Sequence, residues 1–182
     1  MTITDGGDGV VRMLAGRPAL ERLGEVIERL PAADRRLAEQ GVLAGVVIDG
    51  NHADLAQGDF LIRGIAGGDP ESGAIAIGGH VRPGQVMQLQ VRDHDSAHAD
   101  LARALGDARA AMTRPPGGAL VFSCNGRGTR MFPTPGHDAL AVRDALGDIP
   151  VGGLFCNGEF GPVCGRAHVH GFTASIALFP AE

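Results

Sequence analysis

The sequence lacks lysine, tryptophan and tyrosine altogether. All 16 basic residues are arginine, which excludes Schiff-base chemistry on this chain, an anchored pyridoxal phosphate and a phosphate loop that ends in lysine. A platform for stacking RNA bases would have to rely on phenylalanine and histidine alone. Acidic residues outnumber basic ones by 21 to 16, giving a net charge of −5, so we expect neither nucleic acid nor an anionic membrane surface as a partner.

Long apolar runs are missing as well. No stretch approaches the roughly 20 apolar residues that a membrane-spanning helix needs, and the acidic, glycine-rich segment Met1–Asp8 is unlike a secretion signal. Cysteine is sparse and odd in number, which does not suit a disulfide framework and predicts free thiols at Cys124, Cys156 and Cys164. Together these features predict a cytoplasmic protein.

The 182 residues are enough for one domain and short for two. Residues 1–16 carry little pattern, so we expect an N-terminal segment there and a single domain over residues 17–182. Helical spacing of apolar residues predicts four helices, namely Pro18–Leu30, Ala32–Glu39, a helix capped by Asp95 or Ser96 that reaches Met112, and His137–Leu146 with Gly147 as its C-cap.

Short apolar runs bounded by glycine, aspartate and proline predict strands. They are Leu43–Ile48, Phe60–Ile65, Ala74–Ile77, Val86–Val91, Ala119–Cys124, Val151–Cys156 and Phe172–Phe179, with a turn at Gly67–Pro70. The predicted fold class is α/β, with a mixed, largely antiparallel sheet that helices cover on one face. We expect the other face to be covered by a partner or a second copy, because soluble monomers rarely expose a large apolar patch.

One tripeptide occurs twice, each time after a strand that we expect to be buried. Cys124-Asn125-Gly126 is followed by Arg127, and Cys156-Asn157-Gly158 is followed by Glu159. A strand–helix–strand connection favours parallel neighbours whose carboxyl ends open on the same side, so both turns should share one rim.

That rim suits an amino-acid-like ligand, with Arg127 for its acid group and Glu159 for its amine. Without ligand, Arg127 should pair with an acid or with water, because an unpartnered buried guanidinium is costly. The alternative is structural: Asn-Gly is a common turn, and the two charges would simply pair with each other on the surface.

Other constellations are weaker. The spacing of Cys156, Cys164, His168 and His170 matches no zinc motif, so we predict no metal and no cofactor. Cys124 or Cys156 with His170 as a base would make a hydrolase of a small amide or ester, although no complete nucleophile–base–orienter set can be traced. Arg92 and Asp93 form a further candidate binding cluster or the start of a helix.

Several ordered segments resemble the FIST C-terminal domain family. They are Gly16–Leu20, Gly58–Arg63, Val91–Asp93, Leu120–Gly128, Val151–Pro162 and His170–Phe179. The resemblance spans roughly residues 10–180, and several ordered motifs of this kind are more specific than any single one.

This resemblance implies a small-ligand sensor in intracellular bacterial signal transduction, with amino acids as proposed ligands and a signalling protein as partner. FIST domains also occur in F-box proteins, where they bind partners, so a pure protein-interaction scaffold is a further alternative. The candidate ligand-binding residues that match the motifs are Arg92, Asp93, Asn125, Gly126, Arg127, Asn157, Gly158, Glu159 and His170. Family members usually carry an N-terminal FIST domain, and fewer than 20 residues precede the first shared motif, which favours a homo-oligomer.

Overall fold

The computed structural model describes residues 1–48, 55–163 and 165–182. Its contacts divide the chain into two compact units, unit 1 (Met1–Arg92 with Val163–Arg166) and unit 2 (Asp93–Pro162 with Ala167–Glu182). Both units combine helices with strands, so the predicted mixed α/β class with a largely antiparallel sheet is confirmed. No helix in the described part of the chain has the length and apolar character to span a membrane.

Unit 1 contains one sheet and two helices. Its elements are β1 (Ile3–Gly7), β2 (Val10–Leu14), β3 (Arg17–Pro18), α1 (Ala19–Arg29), α2 (Ala32–Glu39), β4 (Val42–Val47), β5 (Phe60–Asp69), β6 (Ala74–Ile77) and β7 (Met87–Val91). The seven strands pair antiparallel in the order β1-β2-β6-β5-β4-β7, with β3 beside β2.

This sheet curls until its two ends meet. Thr2 forms an isolated bridge with Val86, and the amide of Ile3 donates to the carbonyl of Gln85 at 2.8 Å. The enclosed core is apolar and consists of Ile3, Val11, Leu14, Ala19, Ala44, Val46, Ile75, Ile77, Val81 and Met87.

Two expectations for unit 1 are corrected. Residues 1–16 hold the strands β1 and β2, because three apolar side chains of this glycine-rich stretch, Ile3, Val11 and Leu14, are fully buried in the core. Gly67–Asp69 belongs to β5 and pairs with β6, and the turn begins only at Pro70. At Gly68 a Cβ atom would lie 2.6 Å from Cδ1 of Leu20 in α1, so the missing side chain lets Leu20 pack directly against β5.

Unit 2 contains two smaller sheets and three helices. Its elements are α3 (His94–Ala111), β8 (Pro116–Cys124), α4 (Gly128–Met131), α5 (His137–Leu146), β9 (Val151–Cys156), β10 (Glu159–Val163), β11 (Arg166–His170) and β12 (Ala174–Pro180). The three-stranded sheet has the order β12-β8-β9, and β10 pairs with β11 separately. β12 runs antiparallel to β8, whereas β9 runs parallel to it.

Helices cover one face of the three-stranded sheet, as the sequence predicts. Leu101 and Leu105 of α3 and Val142 of α5 pack with Ala119 and Val121 of β8 in a second apolar core. β9, however, is not a buried strand, since Leu154 is 60% and Phe155 56% exposed. The reason is its position at the edge of the sheet, where β8 is the one described strand that flanks it.

Helix α3 begins earlier than expected. Asp93 is its N-cap, and the carboxylate accepts hydrogen bonds from the Ser96 amide at 2.8 Å and the Ser96 hydroxyl at 2.6 Å. These bonds from Ser96 lower the pKa of Asp93 below its ordinary value. The predicted caps at Asp95 and Ser96 are therefore wrong. Asp93 lies upstream of both and already accepts a hydrogen bond from the Ser96 amide in the first turn of the helix.

Candidate functional site

The two Cys-Asn-Gly turns lie side by side at the carboxyl ends of β8 and β9. In the parallel register Cys124 stands opposite Cys156, and the amide of Asn125 donates to the carbonyl of Cys156 at 2.8 Å. Gly158 has a φ of 148°, a value that favours glycine. The predicted parallel strands with both turns on one rim are confirmed, and the helices α4 and α5 form the connection between them.

Arg127 is buried and forms a bidentate pair with an acid. Its Nε donates to Oδ2 of Asp138 and its Nη2 to Oδ1, both at 2.8 Å, with the two side chains 6% and 8% exposed. The hydroxyl of Ser123, the penultimate residue of β8, donates to the same carboxylate. Arg127 was expected to pair with an acid or with water, and it pairs with an acid; the alternative of an Arg127–Glu159 surface pair is not what the structure shows.

Two histidines extend this network. Nδ1 of His137 donates to Oδ1 of Asp138 at 3.0 Å, and Nε2 of His137 lies 2.9 Å from Nδ1 of His98. The ring of Phe132 stacks on His137 with 3.5 Å between centroids, and the Arg127 guanidinium carbon lies 5.1 Å from the Phe132 centroid. The Asp138 carboxylate is therefore held by His137 as well as by Arg127, and Phe132 contacts both His137 and Arg127.

The protonation of Asp138 follows from its partners. Burial alone would raise its pKa, but the hydrogen bonds from Arg127, Ser123 and His137 and the charge of Arg127 lower the pKa from 3.8 to about 2. Asp138 is thus a carboxylate at neutral pH, and the pair with Arg127 is ionic. Each charge is neutralised by the other, and this pairing offsets the desolvation cost of burying both side chains.

Sequence reasoning missed the acid partner, although a signal was present. Asp138 lies in the first turn of α5, the helix that connects β8 to β9. In a parallel strand–helix–strand unit, this first turn often lies near the carboxyl end of the first strand, where Arg127 follows the turn. Of the acids nearby in sequence, Asp138 is therefore the one that the topology brings to Arg127.

Glu159 is the other charged residue on the rim, and its surroundings differ. Its side chain is 2% exposed, and its Oε2 accepts a hydrogen bond from the hydroxyl of Thr173 at 2.9 Å. Its second oxygen, Oε1, is buried and has no hydrogen-bond partner among the residues that the structure describes. A buried carboxylate oxygen without a donor is costly, so this atom marks a place where a donor would stabilise the protein.

His170 belongs to the same part of unit 2. Its Nε2 donates to the carbonyl of Gly161 at 3.0 Å, which leaves Nδ1 without the proton in the neutral ring. A Cβ atom at Gly161 would lie 3.2 Å from Oγ of Ser175 and 3.5 Å from the His170 ring. Glycine at 161 thus allows His170 to lie close against β10, the strand that Glu159 begins.

The cysteines do not form a nucleophile–base pair in the described part of the chain. Cys124 is buried and free, and Cys156 is half-buried and free, as predicted; Cys164 lies outside the described residues. Sγ of Cys156 lies 3.8 Å from the carbonyl of Leu154, while His170 bonds to a backbone carbonyl. The hydrolase alternative therefore gains no geometric support.

The remaining candidate positions are scattered. Asn125 and Asn157 are exposed on the rim. Asp93 serves as a helix cap, and it forms a group with the exposed residues His94 and Asp95 in which the atoms able to bind a metal lie within 4.8 Å of one another. A surface cavity of about 310 Å³ beyond the end of α3, lined by Arg109, Thr113 and Arg114 among others, includes none of the predicted site residues.

Comparison with known proteins assigns the chain to a domain family. Residues 19–162 match the FIST C domain. The chain belongs to this family. FIST domains are associated with sensory signal transduction, so the resemblance seen in the sequence is confirmed at that level.

Curated relatives of this FIST C domain chain are themselves uncharacterized. An uncharacterized protein of Mycobacterium tuberculosis (strain H37Rv) is 48% identical over 178 residues, and one of Mycobacterium bovis is 47% identical. In both cases the match covers 97% of this chain but 46% of the relative. The chain thus spans about half the length of the relatives it matches. No solved structure matches it.

Proposed function

We propose that this FIST C domain is a small-ligand-binding sensory domain and that Glu159 recognises the ammonium group of an amino-acid-like ligand. The observation that carries the proposal is the buried Glu159 carboxylate, of which Oε1 has no hydrogen-bond partner within the described part of the chain. An ammonium group supplies both an N–H donor and the opposite charge, and charge-assisted hydrogen bonds of this kind are about twice as strong as neutral ones.

The place of Glu159 in the fold supports the same role. It follows the turn at the carboxyl end of β9, beside the matching turn of β8. Open sheets with parallel strands bind ligands outside the carboxyl ends of these strands. The surface there includes Gly126, Gly158 and the exposed side chains of Asn125 and Asn157. The side-chain amides of the two asparagines offer N–H donors to a ligand carboxylate.

Arg127 has a different part in this proposal. Its Nε and Nη2 are both engaged by Asp138, so it positions the turn after β8 instead of capturing a ligand acid group. Three further residues remain predictions as ligand contacts: Arg92, Asp93 and His170. Of these, Asp93 also caps α3. We propose that the domain acts inside the cell and passes the signal to a protein partner, in line with the sensory role of the family.

The test is a thermal-shift titration with free amino acids, simple alkyl amines and the corresponding amine-free carboxylic acids. We expect saturable stabilisation by the compounds that carry an ammonium group and none by the acids alone. Glu159→Gln keeps the shape of the side chain but removes its charge, and it should abolish the shift. The control Glu39→Gln changes an exposed glutamate at the end of α2 and should retain it.

Two outcomes would contradict the proposal. One is an unchanged shift in the folded Glu159→Gln protein, which would show that the ammonium group binds elsewhere. The other is stabilisation by amine-free acids alone, which would point to a cationic site and leave the Glu159 oxygen without a role in recognition.

A further inference from the structure

The outer edge of β9 has no partner strand. In the order β12-β8-β9, β9 pairs with β8 on one side, and no strand of the described residues pairs with it on the other. An edge of this kind presents a row of backbone N–H and C=O groups that can pair with another strand. In unit 1, by contrast, the two ends of the sheet are joined by the Thr2–Val86 bridge.

The β9 edge also lacks the features that usually prevent pairing. Proteins protect such edges with lysine, other charged side chains, proline or a bulge. β9 has the sequence Val-Gly-Gly-Leu-Phe-Cys, without charge or proline. Leu154 and Phe155 point to opposite faces and are 60% and 56% exposed, so apolar surface is open on both sides of the edge.

We propose that β9 pairs antiparallel with β9 of a second copy of this chain and that the two three-stranded sheets form one continuous sheet across a two-fold axis. Such an interface uses the same strand on both sides, so any charge on this six-residue strand would lie near the same charge of the other copy. Because β9 is uncharged, it can pair with its copy without repulsion. The same lack of charge means that β9 has no electrostatic feature that would select a different partner.

The charges that flank β9 do not oppose this approach. Antiparallel pairing brings the beginning of one β9 near the end of the other. At the beginning, Asp148 is paired with Arg143 at 3.2 Å. At the end, Glu159 is 2% exposed and bonded to Thr173. Gly152 and Gly153 carry no side chains, so the two backbones can approach to hydrogen-bonding distance.

Sedimentation equilibrium on the full chain tests the proposal. At about 10 µM chain we expect the mass of a dimer for the wild type and a monomer for Leu154→Lys, with a dissociation constant at least about tenfold higher, because each copy would bring a lysine to the shared edge. The matched control is Leu140→Lys on α5, where the leucine is 43% exposed. It adds the same charge to unit 2 and should leave the dimer intact.

Hydrogen exchange of the β9 amides identifies the interface. In the dimer, the amides that face away from β8 should exchange slowly, and dilution to the monomer or Leu154→Lys should make them exchange fast. A monomeric wild type would overturn the proposal. So would a dimer that Leu154→Lys leaves unchanged, or one in which these amides exchange freely, since the copies would then meet through another surface. Circular dichroism confirms that both lysine variants are folded.

Discussion

The two units bury different kinds of residue. Unit 1 surrounds a core of aliphatic side chains and methionine with a sheet whose ends meet. All of the buried polar or charged side chains in the described residues belong to unit 2, and they are Ser123, Arg127, Asp138 and Glu159. Burying charge costs free energy unless it is paired, so unit 2 accepts a cost that unit 1 avoids.

Their surfaces differ in the opposite sense. Among the described residues, unit 1 exposes one large hydrophobic residue, Leu55, at 38%. Unit 2 exposes Leu120, Leu140, Leu154, Phe155, Phe160, Val169 and Phe179. Charge inside and apolar surface outside are what a binding unit needs, because ligands require paired charges and partners require apolar contact. The comparison thus places the buried charges and most of the exposed large hydrophobic residues of the described chain in unit 2, the unit to which the proposed binding site belongs.

The largest expected effect comes from removing one charge inside unit 2. Asp138→Asn leaves the Arg127 guanidinium buried without a counter-charge, so the free energy of unfolding should fall by about 3–5 kcal/mol. Urea denaturation measures the loss. Asp144→Asn, on the exposed side of the same helix, is the control and should change it little. A loss below about 1 kcal/mol for Asp138→Asn would mean that the pair is not a structural element of unit 2.

A truncation in unit 1 should cost somewhat less. Met87 is completely buried in the apolar core, and Met87→Ala should lower the free energy of unfolding by about 3 kcal/mol through lost transfer energy and a cavity. The comparison variant is Leu140→Ala in unit 2, where the leucine is 43% exposed, and the expected change is within about 0.5 kcal/mol. Equal losses in both variants, measured in urea, would remove the contrast between the two units.

Local patterns predicted much of the fold. The bounds of α2 and α5 match the sequence-based prediction, because proline before α2 and glycine after α5 act on their immediate neighbours. β1 and β2 were not predicted, since the burial of Ile3 depends on a bond to Gln85, more than eighty residues away. The exposure of β9 was also missed, because an apolar run does not say whether its strand lies at the centre or the edge of a sheet.

For the site, topology was more informative than residue type. The rule for strand–helix–strand connections predicted that the two turns lie together, and the cost of a lone buried guanidinium predicted an acid or water beside Arg127. Topology also singles out Asp138, in the first turn of α5, as that acid, a signal that sequence reasoning missed. The links from Asp138 to Ser123 and His137 depend on side-chain packing, which the sequence does not show. The unpartnered oxygen of Glu159 was equally invisible, because satisfaction of a buried atom is a property of the folded chain.

The smallest predicted effect is the pH dependence that Asp138 adds to unit 2. Its pKa is about 2 in the folded protein against an ordinary 3.8, a depression whose cause is the hydrogen bonds and charge of Arg127 and its neighbours acting against burial. A carboxyl group with a lower pKa in the folded state stabilises the protein above its unfolded pKa. This contribution, about 2 kcal/mol in full, is lost as the pH falls from about 4 to about 2.

Asp138→Asn isolates this contribution, because asparagine does not titrate while the other acids remain in both proteins. The difference in unfolding free energy between wild type and variant should be constant above about pH 5 and should shrink by about 1.5 kcal/mol by about pH 2.5. Urea titrations at a series of pH values measure it. If this difference in unfolding free energy stayed constant down to acid pH, the Asp138 carboxyl would have the same pKa in the folded and unfolded protein. The charge pair would then add no pH-dependent stability to unit 2, and this contrast with the uncharged core of unit 1 would disappear.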